Sequence, residues 1–250
     1  MKVLTLNVWG THGPAERQGV LLEALKELSP DILCLQEVTD EALLERLSYP
    51  TKLHFEGSEL AVLSRFPVRE QRLITFRAVS PLEPYRRQAQ MARLDTGETP
   101  LWIVTTHLAW QKEDDSTRIA QVEELLKETS SLGASVLVSG DLNAEPDHPP
   151  IRRLREAGFL DLFSASHPKD PGITWDNRNP FIQSHSVRFP DRRIDYLFLR
   201  QEALSIFPCI GCKIVCGAAT SEGLYPSDHY GVLATFAAVP TFFPRGFPRR

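Results

Sequence analysis

The strongest constraint on the fold is a set of apolar runs that each end in a polar side chain. Residues 136–139 form one such run, and Asp141 follows it closely. A second run ends at Glu37, and the first run of the chain ends at Asn7. Short apolar runs bounded by turn residues are typical of buried strands. The sequence therefore predicts strands whose polar ends collect at one rim of a sheet.

Composition limits the classes of protein that this chain can belong to. With 250 residues, 42% hydrophobic and 24% charged, it has the size of one large α/β domain or two small ones. The formal net charge of -4 argues against a broad cationic surface for long nucleic acids, whose affinity depends on phosphate contacts. A local basic groove is compatible with this balance.

The start of the chain indicates a cellular location. Residues 1–9 carry one lysine and alternate in hydrophobicity like a strand, which is unlike a signal peptide. No segment approaches the roughly 20 apolar residues that a membrane span requires. The sequence therefore predicts a cytoplasmic protein without a transmembrane segment.

Strand and helix patterns alternate along the chain without a domain boundary. Apolar stripes at helical spacing predict helices over residues 16–28, 40–47, 116–127 and 149–156. Strands are predicted over residues 1–7, 32–36, 60–64, 73–76, 88–94, 101–107, 135–139, 194–199, 213–216 and 232–236. This order predicts an α/β (α+β) protein with two packed mixed β-sheets flanked by helices. We expect one domain over residues 1–239 and a Pro/Phe/Arg-rich tail over residues 240–250.

Glu37 and Asn7 are candidate ligands of a metal ion. Carboxylate and amide oxygens suit Mg²⁺ or Mn²⁺, and these ions keep several of their waters. A solvated carboxylate at a strand end is the alternative for Glu37 taken alone. Because Asn7 ends another strand in the same way, both side chains are expected at one rim.

Asp141 and Asn143 are spaced two residues apart. In an extended segment their side chains face the same way. Asp141 could orient the attacking water, deprotonate it, or share the metal, and Asn143 could donate to the oxygens of a phosphoryl transition state. The alternative is an ordinary Asp-x-Asn turn.

His229 needs a partner other than Asp228, because adjacent side chains diverge. Asp195 is the better candidate, and such a pair would raise the pKa of the imidazole and fix its tautomer. A charged His229 could then stabilise a transition state. His107 ends another strand and is a second candidate imidazole at the rim.

Seven short strings occur in the order found in one superfamily. Together they resemble the endonuclease/exonuclease/phosphatase superfamily, also called DNase-I-like, across almost the whole chain. The strings occupy residues 5–7, 35–38, 63–67, 106–108, 139–143, 193–196 and 227–229.

The resemblance implies a four-layer α/β sandwich with the site at the rim between two sheets. It also implies a role for each string. Glu37 resembles the principal Mg²⁺ ligand of the superfamily. Asn7 resembles the asparagine that lies beside the metal and the phosphate, and Asp228 resembles a carboxylate on the metal side. Asp141 resembles the residue that positions or activates water, and Asn143 resembles the hydrogen-bond donor to the transition state. His229 paired with Asp195 resembles the phosphate-binding dyad. His107 resembles the second histidine of the nuclease and sphingomyelinase branches.

Residues 172–180 bear on the substrate. They resemble the matching region of sphingomyelinase-like and tyrosyl-DNA phosphodiesterase-like members. Trp175 could stack on a base, sugar or headgroup, or could cap the core. Arg87 is a candidate second phosphate contact, with a solvated arginine as the alternative. A modest cationic cluster lies near the predicted site: Arg178, Arg188, Arg192 and Arg193.

Three functions remain open at this point. The first is a Mg²⁺-dependent phosphodiesterase that hydrolyses a small, lipid-like or nucleic-acid-end phosphate ester, with Mn²⁺ as an alternative ion. The second is a DNA or RNA nuclease, so a nucleic-acid partner is compatible but not required. The third is a scaffold that keeps the fold and binds without turnover. The oligomeric state is left open.

Overall fold

Two six-stranded β-sheets make up the centre of the computed structural model, which describes residues 1–97 and 99–237. The strands are β1 (Lys2–Asn7), β2 (Ile32–Gln36), β3 (Thr51–His54), β4 (Ala61–Ser64), β5 (Val68–Thr75), β6 (Gln88–Leu94), β7 (Leu101–His107), β8 (Val136–Asp141), β9 (Phe159–Asp161), β10 (Asp195–Arg200), β11 (Cys209–Val215) and β12 (Gly231–Phe236). The helices are α1 (Arg17–Leu28), α2 (Ala42–Glu45), α3 (Asp115–Thr129), α4 (Pro149–Glu156) and α5 (Leu162–Ser166). Two 3₁₀ turns, Pro180–Ser184 and Gln201–Ser205, complete the assignment.

The sheets pack face to face and helices cover both outer sides. The first sheet has the order β11-β12-β1-β2-β4-β3, and the second has the order β5-β6-β7-β8-β10-β9. Apolar side chains such as Ile32 and Ile103 fill the space between the sheets. Helices α1 and α2 pack on the outer face of the first sheet, and α3 and α4 on that of the second. This arrangement confirms the predicted four-layer α/β sandwich.

Strand register brings the polar strand ends to one rim. Each sheet contains one parallel pair, β1 with β2 and β7 with β8, and parallel strands end at the same edge. His107 lies opposite Asp141 in the second sheet, and Asp195 faces Asp141 from the antiparallel strand β10. Three predicted site residues therefore lie side by side because of backbone pairing alone.

Several boundaries differ from the sequence-based expectation. The edge strand β3 was not predicted because only Leu53 of its four residues is buried. Strand β9 has three residues, too few to show a period. Strand β5 begins at Val68, five residues before the predicted start, because its exposed charged residues hide the pattern of an edge strand. The helix predicted over residues 40–47 is reduced to the single turn α2.

The ends of the described chain meet far from the polar rim. The amino group of Met1 donates to the carbonyl of Phe236 at 3.0 Å. The division into a domain over residues 1–239 and a tail over residues 240–250 stays a prediction, and the tail lies outside the described residues. Within residues 1–97 and 99–237, none of the helices combines the length and the apolar character that a membrane span requires.

We expect the substitution Gly140→Ala to destabilise the protein strongly. Gly140 has φ +133°, and a Cβ there would lie 1.9 Å from the carbonyl oxygen of Thr106. Relief requires β7 and β8 to separate, so the free energy of unfolding should fall by roughly 2–4 kcal/mol in urea titrations. Gly19→Ala is the control, because a Cβ at that position would meet no neighbouring atom within 4 Å and alanine favours the helix. Equal stability of the two variants would contradict the tight contact.

Candidate active site

A cavity of about 360 Å³ opens at the rim where the two sheets present their polar strand ends. Eight of the ten predicted site residues line it: Glu37, Arg87, His107, Asp141, Asn143, Trp175, Asp228 and His229. The other two, Asn7 and Asp195, are fully buried and bond to lining residues. A larger open groove between α1 and β11 contains none of the ten. The rim cavity is therefore the candidate active site.

Two of the lining residues have strained backbone conformations. Glu37 follows β2 with φ +57°, and Asn143 follows β8 with φ +48°. The left-handed region is costly for residues other than glycine and is enriched at functional sites. The expectation that Asp141 and Asn143 share an extended segment is wrong, because β8 ends at Asp141 and the chain then turns. Both side chains nevertheless line the cavity.

Asn7 links the two sheets across the rim. Its Nδ2 donates to Glu37 Oε1 at 2.9 Å and to Asp141 Oδ2 at 3.2 Å. Its Oδ1 accepts from the backbone N–H of Trp9 at 2.9 Å. Because that oxygen is occupied, Asn7 supports the two carboxylates in this arrangement, and its role as a metal ligand stays a prediction.

His229 lies between two carboxylates. Its Nδ1 is 2.9 Å from Asp195 Oδ2, and its Nε2 is 3.7 Å from Asp141 Oδ2. Burial disfavours a charge on the ring, but Asp195 and Asp141 outweigh it and raise the pKa of His229 to about 10. The hydroxyl oxygen of Thr174 accepts from the backbone N–H of Asp195 at 3.3 Å, which helps to fix the backbone at that residue. The imidazole is therefore a fixed cation at neutral pH.

His107 is the second imidazole of the cavity. Its Nε2 is 3.4 Å from Asp141 Oδ2 and its Nδ1 is 3.0 Å from Glu59 Oε1. Burial and Arg87 oppose a charge on the ring, but Glu59 and Asp141 raise the pKa of His107. Asp141 thus lies between two imidazoles, His229 and His107, and its interactions with them lower its pKa against the effect of burial.

Glu59 is a site residue that sequence reasoning missed. Burial opposes its charge, but His107 and Arg87 lower its pKa from the ordinary 4.5 to about 2. Glu59 lies one residue before a predicted strand. Its partners, His107 and Arg87, lie on or directly before strands of the other sheet, so no sequence pattern indicates that Glu59 lies at the site. Arg87, whose Nη1 and Nε each lie 2.8 Å from a carboxylate, pairs with Glu59 and Glu83. Its predicted phosphate contact, which stays a prediction, would compete with these two ion pairs.

Asp228 is held from two sides. His185 Nε2 lies 2.8 Å from Asp228 Oδ2, and the hydroxyl of Ser227 donates to Asp228 Oδ1 at 3.1 Å. Sequence reasoning assigned no role to His185, which lies in a loop without a recognisable motif. Trp175 packs on His229 with ring centroids 5.1 Å apart and is only 5% exposed. It therefore both caps the core and lines the cavity, and stacking on a substrate stays a prediction.

Arg17 is a buried arginine that joins two rim segments. Its guanidinium donates to the backbone carbonyls of Val8, Trp9, Gly10, His12 and Pro226 over distances of 2.7–3.4 Å. The residue is fully buried at the first turn of α1. These bonds fix the loop after Asn7 against the segment that leads into Asp228. From its sequence position, Arg17 looks like an ordinary exposed helix residue.

The donor set fits a hard divalent cation. Glu37, Asp141 and Asp228 offer carboxylate oxygens to one cavity, as Mg²⁺ and Mn²⁺ prefer. Burial and the neighbouring Asp228 raise the pKa of Glu37, so a bound cation would relieve the repulsion between these groups. A tighter group, Asp141, Asp195 and His229, has ligand atoms within 4.8 Å of one another. A protonated His229 would have no lone pair to give to a metal, and the choice of ligands among these groups stays a prediction.

Comparison with known proteins agrees with this arrangement. Residues 4–229 match the model of the Endonuclease/Exonuclease/phosphatase family. Tyrosyl-DNA phosphodiesterase 2 of Mus musculus is 27% identical over 94% of this chain and 66% of its own length. Nocturnin of Xenopus laevis is 26% identical over 89% of this chain and 64% of its own length. The chain thus spans about two thirds of the length of these curated relatives.

Solved structures show the same fold. The crystal structure of D. rerio TDP2 complexed with single strand DNA product superposes with a TM-score of 0.77. The superposition covers 95% of this chain and 99% of the TDP2 chain, and the two sequences are 22% identical. At this identity the likeness supports the architecture, not a shared substrate.

We expect Glu59→Gln to change the pH dependence of stability. The pKa of Glu59 falls from 4.5 in the unfolded chain to about 2 in the folded protein. Its charge therefore stabilises the fold above about pH 4.5, and this contribution is lost as the pH falls toward 2. The difference in unfolding free energy between wild type and variant, on the order of 1–2 kcal/mol at pH 6, should vanish near pH 2.

Glu56→Gln, a change at an exposed glutamate of the same loop, is the control for this titration. Its stability should follow that of the wild type at every pH. A Glu59→Gln curve parallel to the wild-type curve from pH 6 to pH 2 would rule out the ion pairs assigned to Glu59.

Proposed function

The chain belongs to the endonuclease/exonuclease/phosphatase family, and on that premise we propose that it is a divalent-metal-dependent phosphodiesterase. Water is the nucleophile, and the substrate is a small, lipid-like or nucleic-acid-end phosphate ester. Mg²⁺ is the proposed ion, with Mn²⁺ as an alternative. The curated relatives named for tyrosyl-DNA phosphodiesterase activity support a nucleic-acid end within this range.

One observation carries the proposal. Asp141 lies in hydrogen-bond or ion-pair contact with Asn7, His107 and His229, which come from three other strands or strand ends. Asn7 joins the same group to Glu37. Acid, amide and imidazole groups from both sheets therefore meet at one point, which a scaffold without turnover would not require.

These side chains can carry out phosphodiester hydrolysis. Asp141 orients the water, whose oxygen forms a new bond to phosphorus while the bond from phosphorus to the leaving oxygen breaks. One proton of the water ends on the leaving oxygen. His229, charged and fixed by Asp195, donates to the phosphoryl oxygens where negative charge develops, and Asn143 and His107 face the same cavity.

Glu37, Asp141 and Asp228 would hold the metal. When bound, the ion polarises a phosphoryl oxygen and lowers the pKa of a bound water. Glu37 is supported by Asn7, and Asp228 by His185 and Ser227, so both carboxylates are oriented before a cation arrives.

The proposed location is the cytoplasm. The four cysteines are free thiols, which is typical of proteins in a reducing compartment. Imaging of the tagged protein at its native expression level tests this location.

We expect Asp141→Asn and His229→Ala each to reduce kcat at least about 100-fold on bis(p-nitrophenyl) phosphate with Mg²⁺. The first removes the carboxylate that orients water, and the second removes the cation at the phosphoryl oxygens. Asp147→Asn and His148→Ala match these changes at side chains outside the cavity and should keep wild-type rates. Near-wild-type turnover in both site variants would refute the assigned roles.

We expect Glu37→Gln to weaken metal binding about tenfold to 100-fold, because one anionic ligand becomes neutral. Titration with Mn²⁺, followed by electron paramagnetic resonance, measures the affinity without turnover. Glu56→Gln should bind as the wild type does. An unchanged Mn²⁺ isotherm for Glu37→Gln would remove Glu37 from the ligand set.

The same assays separate the remaining functions. Hydrolysis that EDTA abolishes and Mg²⁺ or Mn²⁺ restores supports the enzyme and rejects the non-catalytic scaffold. End-labelled oligonucleotides compared with sphingomyelin and nucleotides distinguish a nuclease from an esterase for small or lipid-like substrates. The net charge of -4 favours a short or end-bound substrate over a long duplex.

A further inference from the structure

Arg192 is a buried cation in the candidate active-site cavity that forms no ion pair within the described part of the chain, although Asp141, Glu145 and Asp195 act on it at longer range. It lines the cavity and is only 7% exposed. Among residues 1–97 and 99–237, no carboxylate lies within 4.0 Å of its guanidinium, and its Nε is buried without an acceptor. A buried charge without a partner is costly, so an anion at this position would stabilise it.

The neighbouring arginines are all engaged. Arg193 Nη1 pairs with Asp161 at 2.9 Å, and Arg178 Nη2 pairs with Asp176 at 2.6 Å. Arg188 donates to two backbone carbonyls of its own loop. Arg87 is bound by two carboxylates. Of the arginines considered near the site, Arg192 therefore has its donors available to a ligand.

Packing holds the Arg192 guanidinium in place. Its Cζ lies 3.6 Å from the ring centroid of Phe189 and 5.4 Å from that of Trp175. The backbones of Arg192 and Trp175 exchange two hydrogen bonds of 3.0 Å. A guanidinium stacked on an aromatic face keeps its in-plane N–H groups for hydrogen bonding. Burial lowers the pKa of Arg192 to about 10, which leaves it charged at neutral pH.

Trp175 connects Arg192 to the proposed reaction centre. The same tryptophan forms a backbone bridge with Arg192 and another with His229. Its ring centroid is 5.1 Å from that of His229, so a substrate phosphate at His229 and a second group at Arg192 would both lie beside Trp175. The Nε1 of Trp175 is also buried without an acceptor among the described residues.

We propose that Arg192 binds a second, non-scissile phosphate group of the substrate. This inference rests on the proposed function, because it places the scissile ester at His229. The planar guanidinium matches the oxygens of a phosphate. A cationic headgroup such as phosphocholine would be repelled at the same position. Within the proposed substrate range, Arg192 therefore favours esters with two phosphate groups, as in nucleotides and nucleic-acid ends.

Turnover of three thymidine dinucleotides tests the proposal: one without a terminal phosphate, one with a 5′ phosphate and one with a 3′ phosphate. The wild type should prefer at least one phosphorylated form, with a KM about tenfold to 100-fold lower. Arg192→Met, which keeps the apolar contact with Phe189, should lose this preference, so that the KM values of the three dinucleotides become equal within about twofold. Arg192→Lys should retain part of the preference.

Arg188→Met is the matched control, since it removes the same charge from the same loop, where Arg188 bonds only to carbonyls. It should keep the full preference. The proposal is overturned if the wild type shows no preference for either terminal phosphate. It is equally overturned if Arg192→Met and the wild type show the same preference.

Calorimetry in EDTA separates this inference from the proposed function. Thymidine 3′,5′-bisphosphate and thymidine 5′-monophosphate are the probes, and neither needs to be hydrolysed. The bisphosphate should bind more tightly to the wild type, and Arg192→Met should remove the difference. That result supports the phosphate site even if no ester is turned over. Turnover of esters with equal binding of both probes would keep the enzyme and reject the site.

Discussion

The site depends on crowding of negative charge that is balanced by fixed cations. Glu37, Asp141, Asp195 and Asp228 are buried or line one cavity, where their mutual repulsion is only weakly screened. His229 is charged between two of these carboxylates, and the raised pKa of His107 belongs to the same balance. The remaining repulsion around Glu37 and Asp228 is what a divalent cation would neutralise. Charge balance therefore links the fold, the metal and the proposed chemistry.

The two sheets supply this balance through backbone pairing. Parallel pairing in each sheet sets strand ends at a common edge, and antiparallel β10 adds Asp195 opposite Asp141. Asn7 then bonds to carboxylates on both sheets. Gly140 permits the close approach of β7 and β8 directly before His107 and Asp141. A small change in the packing of the two sheets would therefore displace the side chains of the proposed reaction centre.

Sequence reasoning located a residue correctly where its position follows from the end of a buried strand. Asn7, Glu37, His107 and Asp141 were identified in this way, and the structure gathers them at one rim. It failed where the role depends on contacts between distant segments. Glu59 and His185 meet their partners, His107 and Asp228, only after folding, and no periodicity marks either one.

Edge strands were the weakest part of the sequence-based fold. Strand β3 has one buried residue in four, and β5 presents charged side chains to solvent, so neither shows the alternation of a half-buried strand. The sequence also does not show which arginines form ion pairs with carboxylates, because the residue type is the same in either case. Only the contacts of Arg178, Arg188 and Arg193 set Arg192 apart.

Arg17 has a consequence for how such a chain can evolve. All of its hydrogen bonds end on main-chain carbonyls, which every residue type carries. If Arg17 is substituted, a second substitution at one of the residues that supply these carbonyls cannot restore the hydrogen bonds. Comparative methods that detect contacts from correlated substitutions would therefore find no signal for these five hydrogen bonds, although they tie two segments of the rim together.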